Sequence, residues 1–195
     1  MFEERFAGKL REGWSWVREN PAAWKIETGA MIIEVQPGYL IADDKESDRT
    51  KNVLLRDLPG ASASPMAVEV CMENDPQVQF EHGGVIWYLD DSNFVDLLHE
   101  GIGGKGSILM VTKKANQAQH HTLPCHSKLL WLRLILSGDD VIGEFRESPN
   151  DPWQTVAKTK LPSSAKARVG VLCGGGRLGT GRVAKFSHFR IISMR

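Results

Sequence analysis

The sequence predicts an all-β protein built as a sandwich of two antiparallel sheets. Short apolar segments recur along the chain, and within them apolar and other residues alternate at the period of two that a strand requires. The segments are bounded by Gly, Pro, Asn and Asp, which end strands and form turns. Only residues 2–16 show a weak helical pattern, and Gly8 and Gly13 interrupt it. Many short strands with no helices between them are typical of a sandwich.

About twelve segments are predicted as strands on this pattern. In the third of them Met66, Val68, Val70 and Met72 alternate with less apolar residues. The turn sequence Asp-Asp-Ser-Asn at residues 90–93 predicts a hairpin, and Gly-Asp-Asp at 138–140 predicts a second turn between two strands. In chain order the predicted strands are Ala30–Val35, Asn52–Leu58, Met66–Glu73, Val85–Asp90, Phe94–Glu100, Ser107–Lys113, Gln117–Leu123, Leu129–Leu136, Val141–Arg146, Gln154–Thr159, Arg168–Cys173 and Val183–Met194.

Length and composition agree with one soluble globular domain spanning residues 1–195. The 195 residues include 24 Lys and Arg and 24 Asp and Glu, with 42% hydrophobic and 25% charged residues. This balance argues against a nucleic-acid partner, and no apolar run reaches the roughly 18–20 residues of a membrane helix. The charged segment Met1–Arg5 has no apolar run after it, so no secretory signal is expected. The three cysteines, Cys71, Cys125 and Cys173, then indicate free thiols in the cytoplasm. Nothing in the sequence indicates the oligomeric state.

The alternation also assigns side chains to faces. The even-numbered residues from Leu130 to Leu136 are all leucine and should point between the sheets. The residues between them should point away from the core, and they are Trp131, Arg133 and Ile135. By the same parity, five more residues lie on the non-core face of their strands: Glu69, Cys71, Tyr88, Asp96 and Glu100. A face that mixes aromatic and charged groups is either a solvated surface or a ligand-binding face.

The segment E-H-G-G-V-I-W-Y-L-D-D-S-N-F at residues 81–94 resembles the E-x-[AG]-G-[LV]-x-x-Y-x-D-x-x-N-[YF] segment of a concanavalin A-like sandwich family of unknown function. That family is similar to the C-terminal sandwich domain of some β-xylosidases. Phe6–Arg18, the Trp-Leu-Arg-Leu strand at 131–134 and Phe145–Trp153 agree with it, so the resemblance spans nearly the whole chain. It implies a concanavalin A-like jelly roll with one concave face. Asp96 stands where relatives often carry Lys, so a ligand contact by that lysine does not carry over.

Two motifs suggest catalysis or cofactor binding but lack part of the required chemistry. Gly174–Gly179 matches the letters G-x-G-x-x-G, yet a strand pattern follows where a dinucleotide site needs a helix, so a hairpin loop between antiparallel strands is expected. Glu69-x-Cys71-x-Glu73 resembles the Glu-x-Asp-x-Glu strand of retaining glucanases. A thiol with an ordinary pKa near ~8.5 cannot replace the central carboxylate, so these glutamates are interpreted as solvated. We predict no catalytic residue and no cofactor.

Metal binding is not predicted either. In His120-His121 and Cys125-His126 adjacent strand residues point to opposite faces, and the spacing is not that of a zinc site. The oxygen-rich turn at residues 90–93 matches no EF-hand loop.

The sequence therefore predicts a non-catalytic binding module, most simply one that binds carbohydrate on the concave sheet face. Aromatic rings would stack on sugars, and charged groups would hydrogen-bond their hydroxyls. The hypothesis also pairs Arg133 with Glu100 across that face, since a shielded arginine needs an acidic partner. A protein-interaction or regulatory module is the alternative, and a glycoside hydrolase is the third. The predicted site residues are Glu69, Tyr88, Asp96, Glu100, Trp131 and Arg133.

Overall fold

The computed structural model describes residues 1–41, 49–58, 65–162, 167–177 and 179–194, and this part of the chain is built almost entirely of β-strands. One short 3-10 turn lies at Pro21–Ala23. The strands are β1 (Phe2–Glu4), β2 (Trp14–Val17), β3 (Trp24–Glu27), β4 (Ala30–Glu34), β5 (Val53–Asp57), β6 (Met66–Glu73), β7 (His82–Asp90), β8 (Asn93–Ile102), β9 (Lys105–Lys114), β10 (Gln117–Pro124), β11 (Leu129–Ser137), β12 (Asp140–Arg146), β13 (Gln154–Lys160), β14 (Arg168–Gly174) and β15 (Val183–Ser193).

All the predicted strands are present, and their bounds differ from the expected ones by about three residues or fewer. The start of the chain differs. The weak helical pattern over residues 2–16 does not correspond to a helix, because strands β1 and β2 lie there. Gly8 and Gly13, which lie between the two strands, have φ of +88° and +93°. β3 was not predicted. β1, β2 and β3 have only three or four residues each, too few to display a period of two.

The strands form two antiparallel sheets. The eight-stranded sheet has the order β13-β12-β11-β6-β15-β4-β3, with β1 beside β15, and the seven-stranded sheet has the order β10-β9-β8-β7-β14-β5-β2. β14 and β15 belong to different sheets, so the glycine-rich segment between them crosses from one sheet to the other. The expectation of a hairpin at Gly174–Gly179 is therefore wrong, although a strand does follow it; Leu178 lies outside the described residues.

The inter-sheet core contains the side chains that the alternation assigns to it. The four even-numbered leucines of β11 are buried there, facing Val85, Trp87 and Leu97 of the seven-stranded sheet. Cys125 and Cys173 join this cluster, and all three cysteines are buried free thiols. Within the described residues, the structure contains no helix long and apolar enough to cross a membrane.

A second apolar cluster covers the outer face of the seven-stranded sheet. It includes Ile86, Phe94 and Leu98, which alternate with core residues along β7 and β8, and Leu40 packs on them from residues 36–41, which we call the strap. The carbonyl of Gly38 in the strap accepts hydrogen bonds from the Gly175 amide (3.0 Å) and the Thr50 hydroxyl (3.2 Å). Much of this outer face is therefore buried.

Candidate binding site

The residues predicted as one binding site lie on two different sheets. The eight-stranded sheet carries Glu69, Trp131 and Arg133. The seven-stranded sheet carries Tyr88, Asp96 and Glu100. Each side chain points away from the core, as its parity predicts, but the outer faces of two stacked sheets point in opposite directions. The six residues therefore do not form one site, and the expected pairing of Arg133 with Glu100 is wrong.

Arg133 is paired instead with two carboxylates on its own sheet. It lies directly opposite Glu144 on one side and Glu69 on the other, where cross-strand side chains are close enough to interact. Its Nε and Nη2 are both 2.6 Å from Glu144 Oε2, and its Nη1 is 3.6 Å from Glu69 Oε1. Arg190 donates to the other oxygen of Glu69 (2.6 Å), and the Thr155 hydroxyl donates to Glu144 (3.0 Å). The charges along this row are thus neutralised within the sheet.

Two tryptophans flank this row of charges. Trp131 and Trp153 are both partly exposed and lie outside the inter-sheet core. The guanidinium carbon of Arg133 lies 4.0 Å from the centre of the Trp153 ring. That of Arg146 lies 4.5 Å from Trp153 and 5.8 Å from Trp131, within the range of cation–π contacts. The eight-stranded sheet therefore presents an aromatic and charged outer face.

On the opposite face, Tyr88 is part of a network that holds the turn at residues 90–93. Its hydroxyl donates to Asp91 Oδ1 (2.9 Å), and burial together with this carboxylate raises the pKa of Tyr88 to about 12. Arg18 binds both oxygens of Asp91 (2.9 and 3.1 Å), and Arg49 binds one of them (2.6 Å). The Tyr88 hydroxyl and the Asp91 carboxylate are therefore already hydrogen-bonded to groups of the protein itself.

Asp96 and Glu100 are buried acids on the same outer face. Tyr88, Asp96 and Glu100 are only 5%, 2% and 6% exposed. Burial raises the pKa of Glu100 to about 7, and burial together with the nearby Glu100 raises the pKa of Asp96 well above its usual range. Asp96 Oδ1 has no hydrogen-bond partner among the described residues, and His82 Nδ1 is 4.0 Å from Glu100 Oε2. These carboxyls are covered groups rather than an open binding surface.

The series Glu69, Cys71 and Glu73 does project onto one face, as its spacing predicts. Glu69 is held by two arginines, and Lys185 Nζ binds Glu73 (3.1 Å). Burial raises the pKa of the Cys71 thiol, which keeps the central group neutral at pH 7. The series therefore carries two ion-paired glutamates around a neutral thiol.

The comparison with protein families assigns this fold. The model for the β-xylosidase C-terminal concanavalin A-like domain matches residues 3–191. The chain belongs to this family. The concanavalin A-like domain seen here is thus the jelly-roll sandwich that the segment at 81–94 indicates.

Solved structures show the same fold at low sequence identity. The domain superposes on the GH43 protein BlXynB from Bacillus licheniformis with a TM-score of 0.83 and 17% identity, covering 98% of this chain and 39% of that one. For xylan β-1,4-xylosidase from Bacillus halodurans the TM-score is 0.78, with 18% identity and coverage of 97% and 38%. A functionally unknown protein from Saccharomyces cerevisiae gives 0.74, with 15% identity and coverage of 94% and 97%. The domain thus spans about two fifths of the two bacterial chains. No curated protein matches it.

Sequence reasoning missed four residues that build the aromatic and charged face of the domain. Two of them had a detectable signal, because the turn at residues 138–140 sets the register that places Glu144 opposite Arg133. The same register places Arg146 opposite Trp131. No local sequence signal indicates that Arg190 of β15 and Trp153, which precedes β13, lie on this face. The missed residues are Glu144, Arg146, Trp153 and Arg190.

Proposed function

We propose that the domain is a non-catalytic carbohydrate-binding module whose site is the outer face of the eight-stranded sheet. The observation that carries this proposal is the pair of partly exposed indoles, Trp131 and Trp153, beside a row of charged hydrogen-bonding groups. An indole offers a flat apolar surface to the face of a sugar ring. The guanidinium of Arg133 and the carboxylate of Glu144 supply donors and acceptors for hydroxyl groups next to it.

The opposite outer face supports this assignment less well. The residues predicted to bind a ligand on this face are nearly inaccessible: Tyr88, Asp96 and Glu100. Leu40 of the strap packs on the apolar cluster of the same face. A ligand there has to displace the strap or enter beside it. The eight-stranded face needs no such rearrangement at Trp131 and Trp153.

Calorimetric titration with xylo-oligosaccharides, chosen because the family includes domains of β-xylosidases, tests the proposal. We expect Trp131→Ala and Trp153→Ala each to weaken binding about tenfold, the effect of losing one stacked ring. Tyr88→Phe, a change on the opposite face, is the matched control and should bind like the unmodified domain. The proposal fails if neither xylo-oligosaccharides nor an array of other glycans bind. It also fails if both alanine variants retain full affinity.

A protein-interaction or regulatory module is the second candidate. The domain covers only 39% of the BlXynB chain, so in that protein the same fold is part of a longer polypeptide. This favours a role in contacts with another part of a protein. An aromatic and arginine-rich face suits such an interface. The glycoside hydrolase alternative gains no support, since Glu69 and Glu73 are both ion-paired. A cytoplasmic location is part of the proposal and is supported by the three buried free thiols.

A further inference from the structure

Among the described residues, Arg146 differs from its neighbouring arginines on the outer face of the eight-stranded sheet in having no acidic partner. Arg133 and Arg190 each bind a carboxylate at 2.6 Å. No carboxylate of the described residues lies within 4.0 Å of the Arg146 guanidinium, whose Nη1 donates to the carbonyl of Pro149 (2.6 Å). Its Nε is buried and has no hydrogen-bond partner in the same part of the chain. Among the described residues, no carboxylate thus neutralises Arg146, and its Nη2 has no hydrogen-bond partner.

The surroundings of Arg146 suit a ring that carries a negative group. Its guanidinium carbon lies 4.5 Å from the centre of the Trp153 ring and 5.8 Å from that of Trp131, which is directly opposite it in the sheet. Both indoles are partly exposed. Flat apolar surfaces thus flank a cation whose planar fork matches the geometry of a carboxylate.

The charges of the row beside Arg146 cancel, so Arg146 decides the sign of the ligand. Glu69 and Glu144 balance Arg133 and Arg190, and they leave one positive charge at the tryptophans. A neutral sugar leaves that charge without a partner. A sugar with a carboxylate neutralises it and also stacks on an indole.

We propose, building on the carbohydrate-binding function above, that the domain prefers acidic glycans and binds the carboxylate of a hexuronic acid residue through Arg146. The uronic acid ring stacks on Trp131 or Trp153. Arg146 is then the specificity-determining residue of the site, and the indoles provide affinity that neutral sugars share.

The test compares two xylo-oligosaccharides of equal length, one of which carries a glucuronic acid substituent. At pH 7 and low salt we expect the acidic ligand to bind about tenfold more tightly than the neutral one, as a charge-assisted bidentate contact implies. Arg146→Gln should abolish this preference and leave the affinity for the neutral ligand within about twofold. Arg168→Gln removes the same charge from β14 of the opposite sheet, and it should keep the preference.

The outcomes separate this inference from the function on which it rests. Equal binding of both ligands by the unmodified domain overturns the acidic preference and leaves carbohydrate binding intact. Loss of the preference in Arg168→Gln as well as in Arg146→Gln also overturns it, because net charge alone then explains the effect. Absence of binding to either ligand refutes both. If Arg146→Gln does not fold, Arg146→Lys, which keeps the charge without the fork, should reduce the preference, and an unchanged preference overturns the inference.

Discussion

His99 and Glu100 are neighbours on β8 whose side chains face opposite sides of one sheet and respond to pH in opposite directions. Burial lowers the pKa of His99 to about 4 and raises that of Glu100 to about 7. Both ring nitrogens of His99 are buried without a hydrogen-bond partner in the described residues. The neutral form is favoured in each case, because the surroundings offer the charged form little compensation.

The two shifts should oppose each other in the free energy of unfolding. A carboxyl with a raised pKa stabilises the fold when protonated, so the contribution of Glu100 is full below about pH 4.5 and is lost as the pH rises to about 7. An imidazole with a lowered pKa stabilises the fold when neutral. The contribution of His99 is therefore full above about pH 6.5 and is lost as the pH falls to about 4.

Glu100→Gln should expose the opposing effect of His99. We expect the unfolding free energy of this variant to rise with pH between pH 4.5 and 7 more steeply than that of the unmodified domain, by on the order of 3 kcal/mol across the interval. His99→Leu is the control and should change the slope in the opposite sense. Urea denaturation at a series of pH values measures both slopes. Parallel curves for Glu100→Gln and the unmodified domain would contradict the assignment.

The pairing of Arg133 can be measured with double-mutant cycles. Arg133→Met combined with Glu144→Gln should show a coupling energy of about 1 kcal/mol or more, because the two charged groups of a close ion pair are removed. Arg133→Met combined with Glu100→Gln should be additive within about 0.5 kcal/mol, since sheets about 10 Å apart separate the two side chains. A coupling in the second cycle as large as in the first would show that the faces are assigned wrongly.

At the scale of elements, the strap depends on the backbone of Gly38. Its φ is +133°, and a Cβ atom there would lie 2.6 Å from the carbonyl oxygen of Arg49. No other residue type fits without displacing the strap. Leu40, which caps the outer apolar cluster, is therefore positioned by a glycine two residues earlier.

Gly38→Ala should destabilise the domain by more than about 1 kcal/mol, because strain and a backbone clash act together. The Gly175 amide, which donates to Gly38, should also exchange its hydrogen faster. Gly103→Ala is the matched control: its φ is +58°, but a Cβ there meets nothing within 4 Å, so only the smaller conformational strain remains. Equal losses in the two variants would argue against the clash.

On the scale of the whole molecule, one apolar core joins the two sheets. It contains residues from both, including Trp87 of the seven-stranded sheet and Leu132 of the eight-stranded sheet. Neither sheet can separate from the other without exposing this cluster to water. The expectation of a single domain over residues 1–195 thus implies one cooperative unfolding transition.

Urea unfolding followed by tryptophan fluorescence and by circular dichroism tests that expectation. Tryptophans of both sheets contribute to the fluorescence, among them Trp87 in the seven-stranded sheet and Trp131 in the eight-stranded sheet. We expect a single transition with the same midpoint by both methods. Trp131→Phe should reduce the fluorescence change on unfolding and leave the midpoint by circular dichroism nearly unchanged, which shows how much of the fluorescence signal Trp131 contributes. Two separated transitions would show that the chain contains more than one folding unit.

The sequence alone determined the strands from β4 to β15, the face on which their side chains lie, and the segment at 81–94 that indicates the family of the domain. These properties are local: strand parity depends on adjacent residues, and the turn at 138–140 sets the register of Arg133 against Glu144. Only the tertiary structure decided which strands share a sheet. Burial of apolar faces is non-directional, so the alternation in β8 and β11 is satisfied equally in either sheet. For that reason Glu100 and Arg133 each have the predicted orientation and yet lie on opposite sides of the molecule.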